Sequence, residues 1–286
     1  MLRSLKVGSL FVAVFSTVIS PIFSSSLQAK KFEIPPLSES FHQWGTPSRS
    51  LLNPDKVKVV VWNILKAKED GFVKEFKSFG SDTDIFMLQE VDNSEEFFQA
   101  YKAYPNHQIH FGTSFDYRRG LWGDRYLSGT AISSRVDALD SGMLRTKDLE
   151  PFVKTPKVVT WALFPVEGKK DLLSVNIHGL NMTSNKDFIK QLKDCEKVIL
   201  AHDGPVIFAG DFNTSDMEKL NAMWTVVWRT KLKAVTFEND QRKRSRFSKI
   251  FIDHTLVRGV EVIDSEVYSS LESSDHKAMG VTFKVL

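Results

Sequence analysis

The sequence predicts an α/β chain built on apolar strands covered on both faces, and three observations carry that prediction. Apolar runs of strand length outnumber helical ones along the body of the chain. The central runs, such as VKVVV, lack the polar alternate of a sheet with one wet face, so a second sheet or helices must cover them on each side. The third observation is a weak internal echo. VVVWNI, a helical segment and DIFMLQE resemble LLSVNIH, a helical segment and PVIFAGD. Two such halves stacked face to face bring four strand ends to one edge of a sandwich, where a rigid sheet can aim several side chains at one point.

In chain order, residues 1–29 read as a cleaved export signal. Arg3 and Lys6 precede an uncharged apolar run over 7–20, Pro21 breaks it, and small residues follow up to Ala29. Extended to Phe23, the run is an uncleaved membrane anchor instead. With the signal removed, no integral membrane domain is expected and the protein is periplasmic or secreted. Residues 30–54 hold four of the ten prolines and many serines without helical or strand period, and are expected to be a linker over the domain surface, with Phe41 and Trp44 as its anchors. The catalytic domain is expected over 55–286. A β-branched strand over 57–62 is followed by a helix with apolar residues at 72, 73, 76 and 79, then by a strand over 84–89. Further strands are expected at 130–133, 157–164, 172–177, 206–209, 251–257 and 279–285. The segment 188–201 carries apolar residues at 188, 189, 192, 195, 198 and 199, the spacing of an amphipathic helix. Trp224 and Trp228, four apart, are expected to pack one face of a helix into the core.

Composition excludes several classes. Of 286 residues, 42% are hydrophobic and 26% charged, which excludes a disordered, collagen-like or polytopic membrane chain. The one cysteine, Cys195, excludes an internal disulfide and any cysteine-cluster metal site, and reads as a small buried apolar residue. The net charge is +3, but Arg3 and Lys6 lie in the leader, and the remainder is close to neutral. Such a chain has no global field to steer it onto a polyanion, so any nucleic-acid preference must come from a local patch.

Chemistry concentrates at the strand ends. Asn63 follows VKVVVW, Glu90 ends DIFMLQE, and His178 ends LLSVNIH. Asp211 and Asn213 follow PVIFAG, Asp253 sits inside KIFIDHTLV, and Asp275 and His276 form SDH before the last strand. Any one of these reads as a turn, cap or structural residue. Eight such positions, all Asn, Asp, Glu or His, read as a site. No GxSxG, Walker-type loop, GxGxxG or HExxH is present. Hard oxygen donors with waters completing an octahedron suit Mg2+ or Mn2+. A phosphoester, whose transition state spreads negative charge over its nonbridging oxygens, is the substrate that most needs a metal, imidazoles and amide N–H groups together.

In this order, VVWNI, MLQEV, SGTAISSR, VNIHGLN, GDFN, IDHTLV and SDH resemble the endonuclease/exonuclease/phosphatase superfamily over about residues 55–286, and within it a bacterial YafD-like branch. The resemblance implies a DNase I-like α/β fold, a four-layer sandwich of two packed mixed β-sheets flanked by helices. It implies that Glu90 holds the divalent metal, that Asn63 helps position metal and water, and that Asp275 is a second metal-associated carboxylate. Asp211 would orient or deprotonate the attacking water, and Asn213 would bind the phosphate. His178 would contact phosphate or assist the leaving group, and Asp253 would fix the tautomer of His276. Independently, a catalytic imidazole needs a carboxylate to orient it and raise its basicity. His254 points to the other face of a regular strand and reads as structural. The expected reaction is in-line attack by water, activated by Asp211 or His276, without a covalent intermediate.

Two segments bear on the substrate. Residues 231–249 contain seven basic residues against two acidic ones, either a phosphate-steering loop or a solvated one. Tyr117, Arg118, Arg119, Trp122 and Arg125 form a basic-aromatic group suited to stacking on bases or capping a headgroup, with the three arginines as substrate-binding candidates. The readings are a nuclease or phosphodiesterase on DNA or RNA, or a phosphatase or phosphodiesterase on a small molecule or lipid headgroup. A silent interaction module would have lost site residues, and all eight are present.

Overall fold

Side chains on successive residues of a strand point to opposite faces, and in this chain both faces of the central strands are buried. The computed structural model describes residues 32–119 and 123–286. Its elements are β1 (Phe32–Glu33), β2 (Phe41–Trp44), β3 (Val57–Asn63), α1 (Phe72–Lys77), β4 (Ile85–Asp92), α2 (Glu95–Tyr101), β5 (Gln108–Arg118), β6 (Arg125–Ser134), β7 (Asp140–Arg145), β8 (Val158–Phe164), β9 (Leu172–His178), α3 (Asn185–Leu200), β10 (Val206–Asp211), α4 (Met217–Thr230), β11 (Lys233–Ala234), β12 (Asp253–Arg258), β13 (Val260–Val267) and β14 (Met279–Val285). One sheet runs β1-β5-β6-β4-β3-β14-β13, with β2 also paired to β5, and the other runs β11-β12-β10-β9-β8-β7. Both are mixed. β3 and β4 are parallel around α1, and β9 and β10 are parallel around α3, so each sheet carries one arm of the internal echo.

Parity within the strands builds four layers. Val57, Val59 and Val61 of β3 pack between the sheets with Ile207 and Ala209 of β10. The alternate residues Val60 and Trp62 turn outward onto Phe72 and Phe76 of α1 and Phe97 of α2. In the second sheet Val206 and Phe208 turn outward onto Phe188, Leu192, Cys195 and Ile199 of α3 and Met223 and Val226 of α4. Ser184 caps α3 by accepting from the Asp187 N–H. Cys195 is free and buried, as its apolar neighbours require.

Three expectations need correction. Residues 30–54 are not only a surface linker. β1 and β2 lie within them and pair antiparallel with β5, and Trp44 packs on Phe98 and Phe111 at 5.3 and 5.2 Å. Such short strands, broken by prolines, show no period. Trp224 and Trp228 share a face of α4, but it is the outer one: they are 42% and 79% exposed, while Met223, Val226, Val227 and Thr230 form the buried face. Spacing of four fixes that two side chains are neighbours and leaves open which way they look. Finally, α2, β5, β7 and β13 carry no strong apolar period. β13 has no buried residue, and β7 has none either. The signal at 1–29 and Trp122 lie outside the described residues.

Two histidines away from the strand-end cluster are buried, His110 on β5 and His107 just before it. His107 is pushed down to about 4 by burial and, next, by Arg135, and its Nδ1 lies 3.3 Å from Ser133 Oγ. His110 is pushed down to about 4 by burial, with Asp137 opposing. An unfolded chain takes up these protons near 6.5 and the native one does not until about 4, so their contribution to stability is intact above 6.5 and is lost as the pH falls through that window. The unfolding free energy measured in urea is therefore expected to drop between pH 6.5 and 4, by on the order of 3 kcal/mol per histidine at most. The drop should be shallower in His107→Gln. An equally steep decline in that variant would show that His107 does not drive it.

Candidate active site

The site residues continue the inward parity of the strands that carry them. Asn63 follows Val59 and Val61 on the inter-sheet face of β3, and Asp211 follows Ile207 and Ala209 on that of β10. Asp211 stands opposite His178 of β9 on one side and opposite Asp253 of β12 on the other, and Asn63 stands opposite Gln89. Glu90 departs from this pattern. The register between β4 and β6 shifts between Leu88 and Val91, and Glu90 sits at φ +50°, so a bulge re-aims a carboxylate that regular alternation would send outward.

Behind the site, a buried amide pair ties the sheets together. Gln89 donates to Asn176 Oδ1 at 2.6 Å, and Asn176 donates to the carbonyls of Leu88 and Ala131 at 2.8 and 2.9 Å. The turn after β10 requires its Gly-Asp-Phe-Asn sequence. Gly210 has φ +139°, and a Cβ there would lie 2.1 Å from the Ile177 carbonyl oxygen. Asn213 takes φ +51°, donates its N–H to Asp211 Oδ1 at 2.9 Å, and donates its amide to the Gly179 carbonyl at 3.0 Å. The SDH segment is braced in turn. The Ser274 hydroxyl donates to the Asn63 carbonyl at 2.6 Å, and Trp62 Nε1 donates to the His276 carbonyl at 3.0 Å.

These elements bring the cluster together around one oxygen. Asp211 Oδ2 lies 3.2 Å from Asn63 Nδ2, 3.7 Å from His178 Nε2 and 3.7 Å from His276 Nε2. Asn63 Nδ2 also lies 3.4 Å from Glu90 Oε1. His276 Nδ1 faces both oxygens of Asp253, at 3.0 and 2.9 Å, which orients the ring with Nε2 toward Asp211. Asp211, Asp253, His178 and His276 are all buried.

The two imidazoles are held in different states. Burial alone would lower His276, but Asp253 and Asp211 more than reverse this and raise it to about 9. His178 is driven well below its ordinary value by burial and by Lys157, with Glu90 opposing. Burial raises Asp211 to about 6, against the pull of His276. Burial would also raise Glu90, but Lys66 above all, with Lys157, holds its carboxyl far below the usual range. At neutral pH the site therefore holds ionised carboxylates, one imidazolium and one neutral imidazole, the separation that lets similar groups take acid and base roles.

A cleft of about 570 Å³ opens over this cluster, lined by Glu90, His178, Asp211, Asn213, Asp275 and His276, with Lys243, Arg244, Arg246 and Phe247 from the basic loop. A second cavity of about 400 Å³, walled by Phe115, Tyr117 and Arg118, shares Glu90, Glu150, Lys157 and His178 with it.

Not every candidate joins the centre. Asp275 is 55% exposed at the rim, pairs with Lys243, and lies 3.9 Å from His276 Nε2; it makes no hydrogen bond or ion pair with Asn63 or Glu90. Arg118 lines the second cavity, and its Nε is buried without a partner. Arg119 and Arg125 are spent on structure. Arg119 pairs with the fully buried Asp92 at 2.6 Å, and Arg125 pairs with Asp116 and Glu33. His254 accepts or donates at Thr214 Oγ1, 2.9 Å away on the helix side, as its parity requires. Sequence reasoning missed Lys66, whose Nζ lies 2.9 Å from Glu90 Oε2, and the pair Lys157–Glu150 at 3.4 Å. Lys66 and Glu150 lie outside the patterned strands, and Lys157 stands at the start of one rather than at its polar end. The one signal available for Gln89 and Asn176 was an amide inside an apolar run.

Fold and site together define a DNase I-like sandwich whose mouth carries carboxylates and two histidines. The chain belongs to the Endonuclease/Exonuclease/phosphatase family, whose model matches residues 60–276. It is 31% identical over 244 residues to a UPF0294 protein of Klebsiella pneumoniae (strain 342), covering 84% of this chain and 85% of the relative. A UPF0294 protein of Vibrio campbellii (strain ATCC BAA-1116) is 28% identical over 229 residues, covering 80% and 77%. Among solved structures, an endonuclease/exonuclease/phosphatase from Beutenbergia cavernae DSM 12333 superposes with a TM-score of 0.62 at 16% identity, over 81% of this chain and 72% of that one. TDP2 from C. elegans superposes with a TM-score of 0.55 at 18% identity, over 80% and 75%. These two share the fold.

Asn176→Ala is expected to lower stability by about 3 kcal/mol, because it takes the amide donor from two buried carbonyls and leaves Gln89 Nε2 with the Met87 carbonyl alone. Urea unfolding measures this; a loss no larger than that of an exposed Asn→Ala control would show that the amide pair does not join the sheets.

Proposed function

We propose that the chain is a divalent-metal-dependent phosphoester hydrolase, in the first instance a phosphodiesterase or nuclease that uses in-line attack by water. The observation that carries this reading is the convergence of Asn63, His178 and His276 on one Asp211 oxygen, with Asp253 behind His276. The donor set beside it fits a hard cation. Glu90 is an ionised carboxylate facing positive charge, and the Asn63 amide lies beside it, its nitrogen toward Glu90 and Asp211 and its oxygen on the Leu65 N–H. We assign the cation to Glu90, with Asn63 beside it to help position the metal and its water. Asp211, Asp253 and His276 also bring donor atoms within 4.8 Å of one another, but an ion between them would compete with the His276–Asp253 hydrogen bonds. A bound Mg2+ or Mn2+ would supply charge neutralisation at the phosphoryl oxygens.

The protein's own groups divide the remaining work. Asp211 is ionised at neutral pH and, raised to about 6, is basic enough to take a proton from water. His276, raised to about 9, is already an imidazolium, which favours Asp211 as the base and leaves His276 to hold charge on the phosphoryl group. His178 is neutral and offers a hydrogen bond at the same cluster. Lys157 adds a positive charge shared by both cavities. Asn213 is anchored to the Gly179 carbonyl and holds the turn that presents Asp211.

One observation favours a second reading, a phosphatase or phosphodiesterase on a small molecule or lipid headgroup. The basic loop neutralises part of its own charge, because Arg242 pairs with Asp240 and Lys243 with Asp275. That weakens a continuous track for a polyanion. The amino-terminal pattern supports a periplasmic or secreted location.

In a panel of plasmid DNA, RNA, bis-p-nitrophenyl phosphate, sphingomyelin and inositol phosphates, EDTA should abolish turnover and Mg2+ or Mn2+ restore it. Asp211→Ala and His276→Ala should each lower the rate on any active substrate at least about a hundredfold. Unchanged turnover in both variants would refute the site. Activity on nucleic acid that falls steeply with salt selects the first reading, and weak salt dependence on small phosphoesters the second.

A further inference from the structure

The residue in closest contact with the assigned metal carboxylate is a lysine of this chain. Lys66 Nζ lies 2.9 Å from Glu90 Oε2, in a pair whose side chains are 28% and 23% exposed. A compact ammonium and a divalent cation seek the same thing from a carboxylate, an oxygen lone pair and a negative charge, so the two compete for Glu90.

The backbone that delivers Lys66 is unusual. Leu65, Lys66 and Ala67 have φ of +49°, +62° and +50°, three consecutive non-glycine residues in the left-handed region. Each such residue costs on the order of 1–2 kcal/mol, so the turn persists only because its surroundings hold it. The holders are visible. Leu65 N–H donates to Asn63 Oδ1 at 3.2 Å, Ala67 N–H donates to the Ile64 carbonyl at 2.9 Å, and Ala67 is buried. Arg119, anchored on the buried Asp92, reaches the Lys66 carbonyl at 3.4 Å. Glu90 faces the same turn from a positive-φ bulge of its own, at φ +50°. Two strained segments thus meet through one ion pair, and one of them carries the carboxylate assigned to the metal.

We infer that Lys66 is a built-in competitor for the divalent cation: it holds Glu90 in the metal-free protein and must leave it when the cation binds. This rests on the assignment of the cation to Glu90. It gives Lys66 and Arg119 positioning roles, the one on the carboxylate and the other on the turn. Once displaced, the Lys66 ammonium remains at the mouth of the second cavity, which it lines.

The test is metal affinity. The full chain, stripped with EDTA and desalted, is titrated with Mn2+ while the signal of free aqueous Mn2+ is followed by electron paramagnetic resonance. Lys66→Met keeps the length of the side chain and removes its charge, and it should bind Mn2+ about fivefold to tenfold more tightly than the parent. Lys66→Arg keeps the charge and should bind no more tightly than the parent. Without metal, Lys66→Met should melt at a lower temperature, because Glu90 has lost its counter-ion, and saturating Mn2+ should close that gap. Glu90→Gln should abolish the site in either background. Affinity in Lys66→Met equal to or weaker than the parent's would overturn the inference while leaving the metal site standing. Absence of Mn2+ binding in both parent and Lys66→Met would overturn the inference together with the metal assignment.

Discussion

Two sheets packed face to face leave only their open edge for a polar side chain that points inward. Along β3 and β10 the inward positions are aliphatic until the strands reach that edge, where Asn63 and Asp211 appear. The same inward face of the second sheet ends in His178 on β9 and Asp253 on β12. Everything else in the site depends on this registration of the two sheets. The amide pair Gln89–Asn176 guards it, since a slip of one residue would bury the amides unpaired and turn every site residue to the helix side.

Within that frame the chemistry comes from unequal treatment of like groups. Two histidines stand at the same distance, 3.7 Å, from one Asp211 oxygen. One has a carboxylate behind it and is held charged; the other lacks that partner, lies in reach of Lys157, and is held neutral. Glu90 shows the opposite balance to Asp211. Burial acts on both, but nearby lysines reverse its effect at Glu90, whereas at Asp211 the neighbouring Asp253 adds to it. Strain recurs in the same region: Leu65, Lys66, Ala67, Glu90 and Asn213 all take positive φ on the segments that form the mouth.

Much of this was legible along the chain. The covered strands, the helix under α3's apolar stripe and the polar strand ends each follow from local pattern, and all eight strand-end candidates lie at one mouth, seven of them about the centre and Asp275 at its rim. What was misread shares a cause. Trp224 and Trp228 were correctly placed together on a helix, yet α4 presents them to solvent. Arg119 and Arg125 read as substrate-binding candidates because Asp92, Asp116 and Glu33, which pair with them, are brought there only by β-pairing and turns. β1 and β2 owe their existence to hydrogen bonds with β5 and carry no period of their own.

By itself, the sequence determined which residue types are available and where each strand must stop being apolar, because period-two burial and its interruption are properties of consecutive residues. Only the tertiary structure decided which charges meet. The bulge that turns Glu90 inward, the left-handed turn that sets Lys66 against it, and the pairing of Asp253 with His276 arise between segments far apart in the chain. Protonation follows from those meetings: an imidazole's state is set by the burial and the charges around it, and neither exists until the sheets have closed.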